Sequence, residues 1–188
     1  MQPAATSGLA IDVAARAAAE IEDFDAVVRL YWPRVFRFAL ASLRDRDAAE
    51  IVAQDCFWRA YQARERFRGD CSLQTWLMQI TVNLVRDRAR SRRLQFWKST
   101  VEIDETGQWL PDRSASPEAQ ALAKERVSAV WRATAKLPEK QRTVFLLRFV
   151  EEMELLEIAA ATGLAEGTVK IHLYRALEAV RKRLGKPE

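Results

Sequence analysis

The chain has 188 residues, enough for one ordinary domain or two small ones, and 49% hydrophobic side chains suffice for a packed core. Two cysteines with no CxxC pair and a single histidine exclude a disulfide framework and a zinc site of the Cys/His kind. Thirty Lys and Arg against 26 Asp and Glu leave a net charge of +4, a mildly basic balance whose placement matters more than its size. No apolar run reaches the length of a membrane span, and the first 20 residues lack the basic start and continuous apolar stretch of a secretory signal, so a cytoplasmic protein without a membrane span is expected. Alanine, leucine, arginine and glutamate dominate, while six glycines and six prolines are few. An all-α fold follows.

Residues 1–20 read as an N-terminal tail. From Asp23 apolar residues recur at helical spacing (Phe24, Val27, Val28, Tyr31, Val35, Phe36, Phe38, Ala39, Leu43), with Pro33 expected to interrupt or kink the run. Asp47 is the expected N-cap of a second amphipathic helix through Ala48, Ile51, Val52, Cys56, Ala60 and Ala63, which ends near Phe67 because Arg68-Gly69-Asp70 reads as a turn. Ser72 caps a long third helix, to about Arg93, with Leu73, Trp76, Leu77, Ile80 and Leu84 on its buried face. Residues 95–116 lose the periodicity and read as a flexible linker of 22 residues, which fully extended spans about 70–80 Å. Ser116-Pro117-Glu118 starts a second domain, with helices to about Lys136, from Pro138 to Val150, from Leu155 to Thr162 and from Glu166 to about Leu184. The expected architecture is therefore two small helical domains, 21–94 and 117–188, joined by the linker 95–116.

Three features carry chemistry. Ile158-Ala159-Ala160-Ala161-Thr162-Gly163-Leu164 followed by Gly167-Thr168-Val169-Lys170 has the pattern of a helix-turn-helix. Ala159 permits a close crossing, Gly163 sits where a left-handed residue is needed, and Ile158, Leu164, Val169 and Leu173 face inward. Glu166, Thr168, Lys170, Ile171, His172, Tyr174 and Arg175 are then exposed on a helix shaped to enter a major groove. On the helix after Ser72, Gln79, Asn83, Arg86 and Arg90 form one polar stripe of amides and guanidiniums, residue types suited to phosphates and base edges. On the helix after Asp47, Glu50, Gln54, Asp55, Trp58 and Arg59 face outward, and an exposed tryptophan marks a protein interface. No phosphate loop, nucleophile–base pair or ligand cluster is present, so no enzyme, metal site or cofactor is expected.

In this order, the three features resemble the sigma-70 family of RNA polymerase sigma factors, in its extracytoplasmic-function (ECF) group, which consists of regions two and four. The likeness rests on Gln54-Asp55-Cys56-Phe57, the run from Phe67 to Leu77, Asn83-Leu84-Val85-Arg86-Asp87-Arg88, Leu137-Pro138-Glu139-Lys140-Gln141-Arg142, Glu157-Ile158-Ala159 and Glu166-Gly167-Thr168-Val169-Lys170. The resemblance implies that Glu50, Gln54, Asp55 and Trp58 bind core RNA polymerase. It implies that Ala63, Phe67, Arg68, Asp70 and Ser72 hold a base flipped from the minus-ten element of promoter DNA, with Gln79, Asn83, Arg86 and Arg90 on the adjacent duplex. Thr168, Lys170, Ile171, His172, Tyr174 and Arg175 would read the minus-thirty-five element, and an anti-sigma factor would hold the protein inactive. The chain departs from the family's usual serine and arginine at Ile171 and His172, and from its usual serine cap and exposed tyrosine at Glu154 and Leu155.

Two other readings compete. Thr168-Val169-Lys170 with His172 also resembles the output domain of response regulators, which bind DNA alone and as dimers, but that leaves residues 23–94 without a role. A helical adaptor that binds only protein would show little salt dependence and no loss on removing Lys170 or Arg175.

Overall fold

The structure, a computed structural model, describes residues 21, 23–96 and 117–185, with side chains described except those of 92–124. The tail and nearly all of the linker fall outside the described residues. Seven α-helices are present among those described: α1 Phe24–Leu43, α2 Arg46–Ala63, α3 Leu73–Phe96, α4 Pro117–Ala135, α5 Glu139–Phe149, α6 Leu155–Thr162 and α7 Glu166–Leu184. No strand occurs among the described residues, so the all-α expectation holds.

Helix α1 starts at Asp23, whose carboxylate accepts the Ala26 N–H at 2.9 Å. It runs through Pro33 for 20 residues without the interruption that the sequence offered as an alternative to a kink. Proline removes one backbone donor, but Val27, Val35, Phe38 and Ala39 are buried on either side of it, and burial of such side chains at about 1.5–3 kcal/mol each for the larger ones outweighs one lost bond. Arg44 then turns left-handed at φ 55°. The cap of α2 is Asp45 rather than Asp47: Asp45 is extended and accepts the Ala48 N–H at 2.8 Å. Asp47 lies inside the first turn, where its charge favours the helix dipole without capping.

After α2 a single 3-10 turn, Arg64–Arg66, leads into extended Phe67 and left-handed Gly69. Ser72 begins α3 as expected, with its Oγ accepting the Thr75 N–H at 3.2 Å. Phe67 packs its ring on Trp76 at 4.9 Å between centroids, while Trp32 stacks on Phe57 at 5.7 Å. Gly163 closes α6 in the left-handed conformation, φ 70°, as the turn requires, and Ile158 and Val169 are fully buried beneath it.

The two helical units pack against each other. One apolar core runs from Phe38, Ala53, Cys56 and Leu77 into Val144, Leu147, Met153, Ile158 and Val169, and a smaller one joins α4, α5 and α7 through Ala133, Leu137, Phe145, Ala176 and Val180. Helix α3 lies between the units and is buried on two sides. Leu77 and Thr81 meet α2, where Thr81 Oγ1 stands 3.2 Å from Cys56 Sγ and donates to the Leu77 carbonyl at 2.7 Å. Val82 and Val85 instead line a cleft toward Thr143, Thr162 and Leu164.

Candidate protein and nucleic-acid interfaces

Helix α2 presents its outward face as expected. Glu50, Gln54, Asp55 and Trp58 are all exposed, and Trp58 leaves 62% of its surface to solvent beside partly open Ile51. Tryptophan belongs to the aromatic class enriched at protein interfaces.

The second surface follows the chain from α2 into α3. Arg68 and Asp70 are exposed; Ala63, Phe67 and Ser72 are half-buried. Gly69 holds the loop at φ 72°, a region that glycine enters without strain. Gln79, Asn83 and Arg90 stand exposed along α3 with Arg86 half-buried, so the polar stripe read from spacing exists. Arg86 and Arg90 also line the cleft of about 260 Å³ between the units, facing Glu139 and Lys140.

The third surface is α7. Lys170, Ile171, Tyr174 and Arg175 are exposed, with Tyr174 at 69%. Thr168 and His172 are not fully exposed as the sequence suggested: both are half-buried, and His172 Nδ1 is buried with no hydrogen-bond partner among the described residues. The helix places position 172 between its exposed and core-facing sides, next to partly buried Leu173. Lys170 pairs with Glu166 at 2.6 Å, an exposed (i, i+4) pair worth about 0.3–0.5 kcal/mol and readily exchanged for a phosphate.

Sequence reasoning missed a set of contacts between the units. Glu151, on the segment between α5 and α6, has no exposed side-chain surface and takes Arg37 Nε at 3.1 Å and Nη2 at 3.2 Å. Arg37 Nη2 also reaches the Val150 carbonyl at 3.4 Å, and Gln74 Nε2 donates to the Glu151 carbonyl at 3.0 Å. Burial pushes the Glu151 carboxyl up from 4.5 to about 7, against the pull of Arg37 and, more weakly, of Arg34. One turn into α6, Glu157 Oε2 accepts its own Glu154 N–H at 2.9 Å, while Oε1 accepts the hydroxyls of Ser72 and Thr75 at 3.3 Å each. No local pattern signals these pairs, because their partners lie 77 to 114 residues apart.

Comparison with known proteins identifies the family. Residues 27–95 match the family model for sigma-70 region 2 and residues 128–180 that for sigma-70, region 4. The RNA polymerase sigma-H factor of Pseudomonas aeruginosa is 33% identical over 165 residues, covering 86% of this chain and 86% of that protein. The chain belongs to the sigma-70 family of RNA polymerase sigma factors. A second relative, the ECF RNA polymerase sigma-E factor of Escherichia coli, is 31% identical over 86% of this chain and 86% of its own length, which places this sigma factor in the ECF group. The fold is also that of the sigma factor RpoE crystallised with the anti-sigma factor NepR from Bartonella quintana, at TM-score 0.70 and 24% identity over 89% of this chain and 99% of that one. A sigma factor directs RNA polymerase to promoters and is not an enzyme. Among the described residues no helix is long and apolar enough to cross a membrane.

Proposed function

We propose that this sigma factor docks on core RNA polymerase through the α2 face, with Glu50, Gln54 and Asp55 supplying charge and hydrogen bonds around Trp58. The unit 21–94 opens the minus-ten element: Ala63, Phe67, Arg68, Asp70 and Ser72 hold a flipped base, and Gln79, Asn83, Arg86 and Arg90 grip the neighbouring duplex. Unstacking one base costs a few kcal/mol, and stacking on an aromatic surface such as Phe67 offsets it. The unit 117–188 reads the minus-thirty-five element through Thr168, Lys170, Ile171, Tyr174 and Arg175, with His172 acting from its half-buried position at the groove edge. The protein works in the cytoplasm and is restrained by an anti-sigma factor, as its fold relative is; Leu156, 70% exposed at the start of α6, provides an apolar edge for that partner.

The observation that carries this reading is the coexistence of an exposed tryptophan-centred acidic face and a helix-turn-helix in a chain matched over both sigma-70 regions. Transcription from a pool of bacterial genomic fragments with core polymerase, with and without the protein, tests it. New defined start sites that require the protein are expected and would reveal both promoter elements. No new starts together with no binding to core would refute it in favour of an independent DNA-binding regulator or an adaptor.

A further inference from the structure

The cleft of about 260 Å³ between α3 and α5 has a lining of two kinds. Its floor is apolar, built from Phe38 of α1, Val82 and Val85 of α3, and Leu164 of the turn between α6 and α7. Its rim is cationic. Arg86 and Arg90 stand one helical turn apart on α3, and Lys140 lies on the other wall, in the first turn of α5. Arg86 is half-buried, whereas Arg90 and Lys140 are exposed and stand at the mouth.

The rim is not neutralised from within. None of the three cations has an ion-pair partner among the described residues. Glu139 is the one carboxylate among the lining residues, and it also acts on half-buried Arg142, whose charge it supports. Pro138 starts α5 with no side-chain cap, so the first-turn N–H groups and the positive end of the helix dipole add to the same wall.

An excess of positive charge beside an apolar floor is the complement of an anion that carries an apolar body. A carboxylate meets guanidinium and ammonium groups through charge-assisted hydrogen bonds, and its body leaves water on reaching the floor. The size of the space limits that body. At ~30 Å³ for each water the cleft equals about nine waters, which suits a ligand of roughly ten non-hydrogen atoms. A nucleotide is too large for it. A bare inorganic anion leaves the floor unused, and a neutral apolar molecule leaves the cations unpaired.

We propose that this cleft binds a small carboxylate with an aryl or alkyl body, the carboxylate held between Arg86 and Lys140, the body on Val82, Val85 and Leu164, and Arg90 adding charge at the mouth. The site stands on the lining of the cleft and is independent of the promoter surface assigned above.

Titration of the isotope-labelled full chain with phenylacetate or octanoate, each of about ten non-hydrogen atoms, followed by backbone amide resonances, tests the site. Saturable shifts at Arg86, Lys140 and Thr143 are expected, with half-saturation near or below about 1 mM. Acetate has the charge without the body and octan-1-ol the body without the charge; each is expected to bind at least about tenfold more weakly. Lys140→Glu, at an exposed position, and Arg86→Gln are each expected to weaken binding of both carboxylates several-fold or more. Lys182→Glu makes the same change of net charge at an exposed position of α7 outside the cleft and is expected to leave binding unchanged. The site would be overturned by no saturable binding of either carboxylate, or by acetate or octan-1-ol binding as tightly as they do. Full affinity in Lys140→Glu or Arg86→Gln, or an equal loss in Lys182→Glu, would overturn it as well.

Discussion

Replacing Gly163 isolates the conformational requirement of the helix-turn-helix from its packing. A Cβ built at Gly163 meets no atom within 4 Å, so nothing steric opposes a side chain there. The backbone does: φ is +70°, and an L-residue pays about 1–2 kcal/mol in the left-handed region. The loss of glycine's freedom in the unfolded chain returns roughly 0.4–1 kcal/mol. Gly163→Ala should therefore cost about 1 kcal/mol, Gly163→Asn only a few tenths because asparagine tolerates this region, and Gly163→Val about 2 kcal/mol because its branched Cβ resists it. For a chain of this size each kcal/mol lowers the melting temperature by about 2–4 °C. Urea titration followed by circular dichroism, with slopes compared, reads the series. Alanine and valine both indistinguishable from wild type would show that the turn is not left-handed in solution. Alanine costing more than about 4 kcal/mol would reveal a steric contact that the open surroundings of Gly163 do not contain.

Other outcomes follow from the same geometry. Because burial raises the Glu151 carboxyl from 4.5 to about 7, the folded protein binds more protons than the unfolded chain across that range. The contribution of Glu151 to stability should be fully present below about pH 4.5, weaken as pH rises to about 7 and level off above it; Arg34 and Arg37 of α1 and Glu152 act on this carboxyl, while Gln74 of α3 holds its backbone carbonyl, and Glu151→Gln should flatten the profile measured by urea titration. A profile rising with pH would contradict the burial argument. Asp45→Ala should destabilise α2 by about 1 kcal/mol in urea titration and Asp47→Ala by clearly less, since only Asp45 caps; equal losses would refute the corrected helix start. Asp55→Arg should weaken binding to core polymerase with native circular dichroism, and unchanged affinity would remove Asp55 from that interface. Arg175→Ala should lower the salt slope of minus-thirty-five binding by about one, and an unchanged slope would mean that it touches no phosphate.

The local grammar of the chain was legible. The turn at Gly163, the cap at Ser72 and the bounds Leu155–Thr162 follow from residues whose preferences are decided within one helical turn. Competing local signals were less so. Asp45 and Asp47 are both capping residues at the right distance, and only the extended backbone of Asp45 decides between them. Pro33 overrides a local rule because core residues flank it on both sides. What periodicity could not show was the second buried side of α3. Val82 and Val85 lie outside the apolar face read from spacing, and the destination of Arg37 is fixed by a residue more than a hundred positions away. The exposed polar stripe was correctly placed, yet its lower end at Arg86 and Arg90 lies on the cleft wall, a fact that belongs to packing between units rather than to helical spacing.

Cys56 gives the molecule an internal clock. Its thiol is fully buried beside Thr81, and burial pushes its pKa up to about 12, so at neutral pH almost none of it is the reactive thiolate. Cys71 is also held above the usual thiol range by burial and by Asp70 and Glu157, but it is only half-buried. An alkylating reagent will therefore reach Cys71 in the folded protein, slowed by its raised pKa, and Cys56 only when the helices around it come apart. Of two native thiols, without any added label, one times unfolding and the other serves as its internal reference.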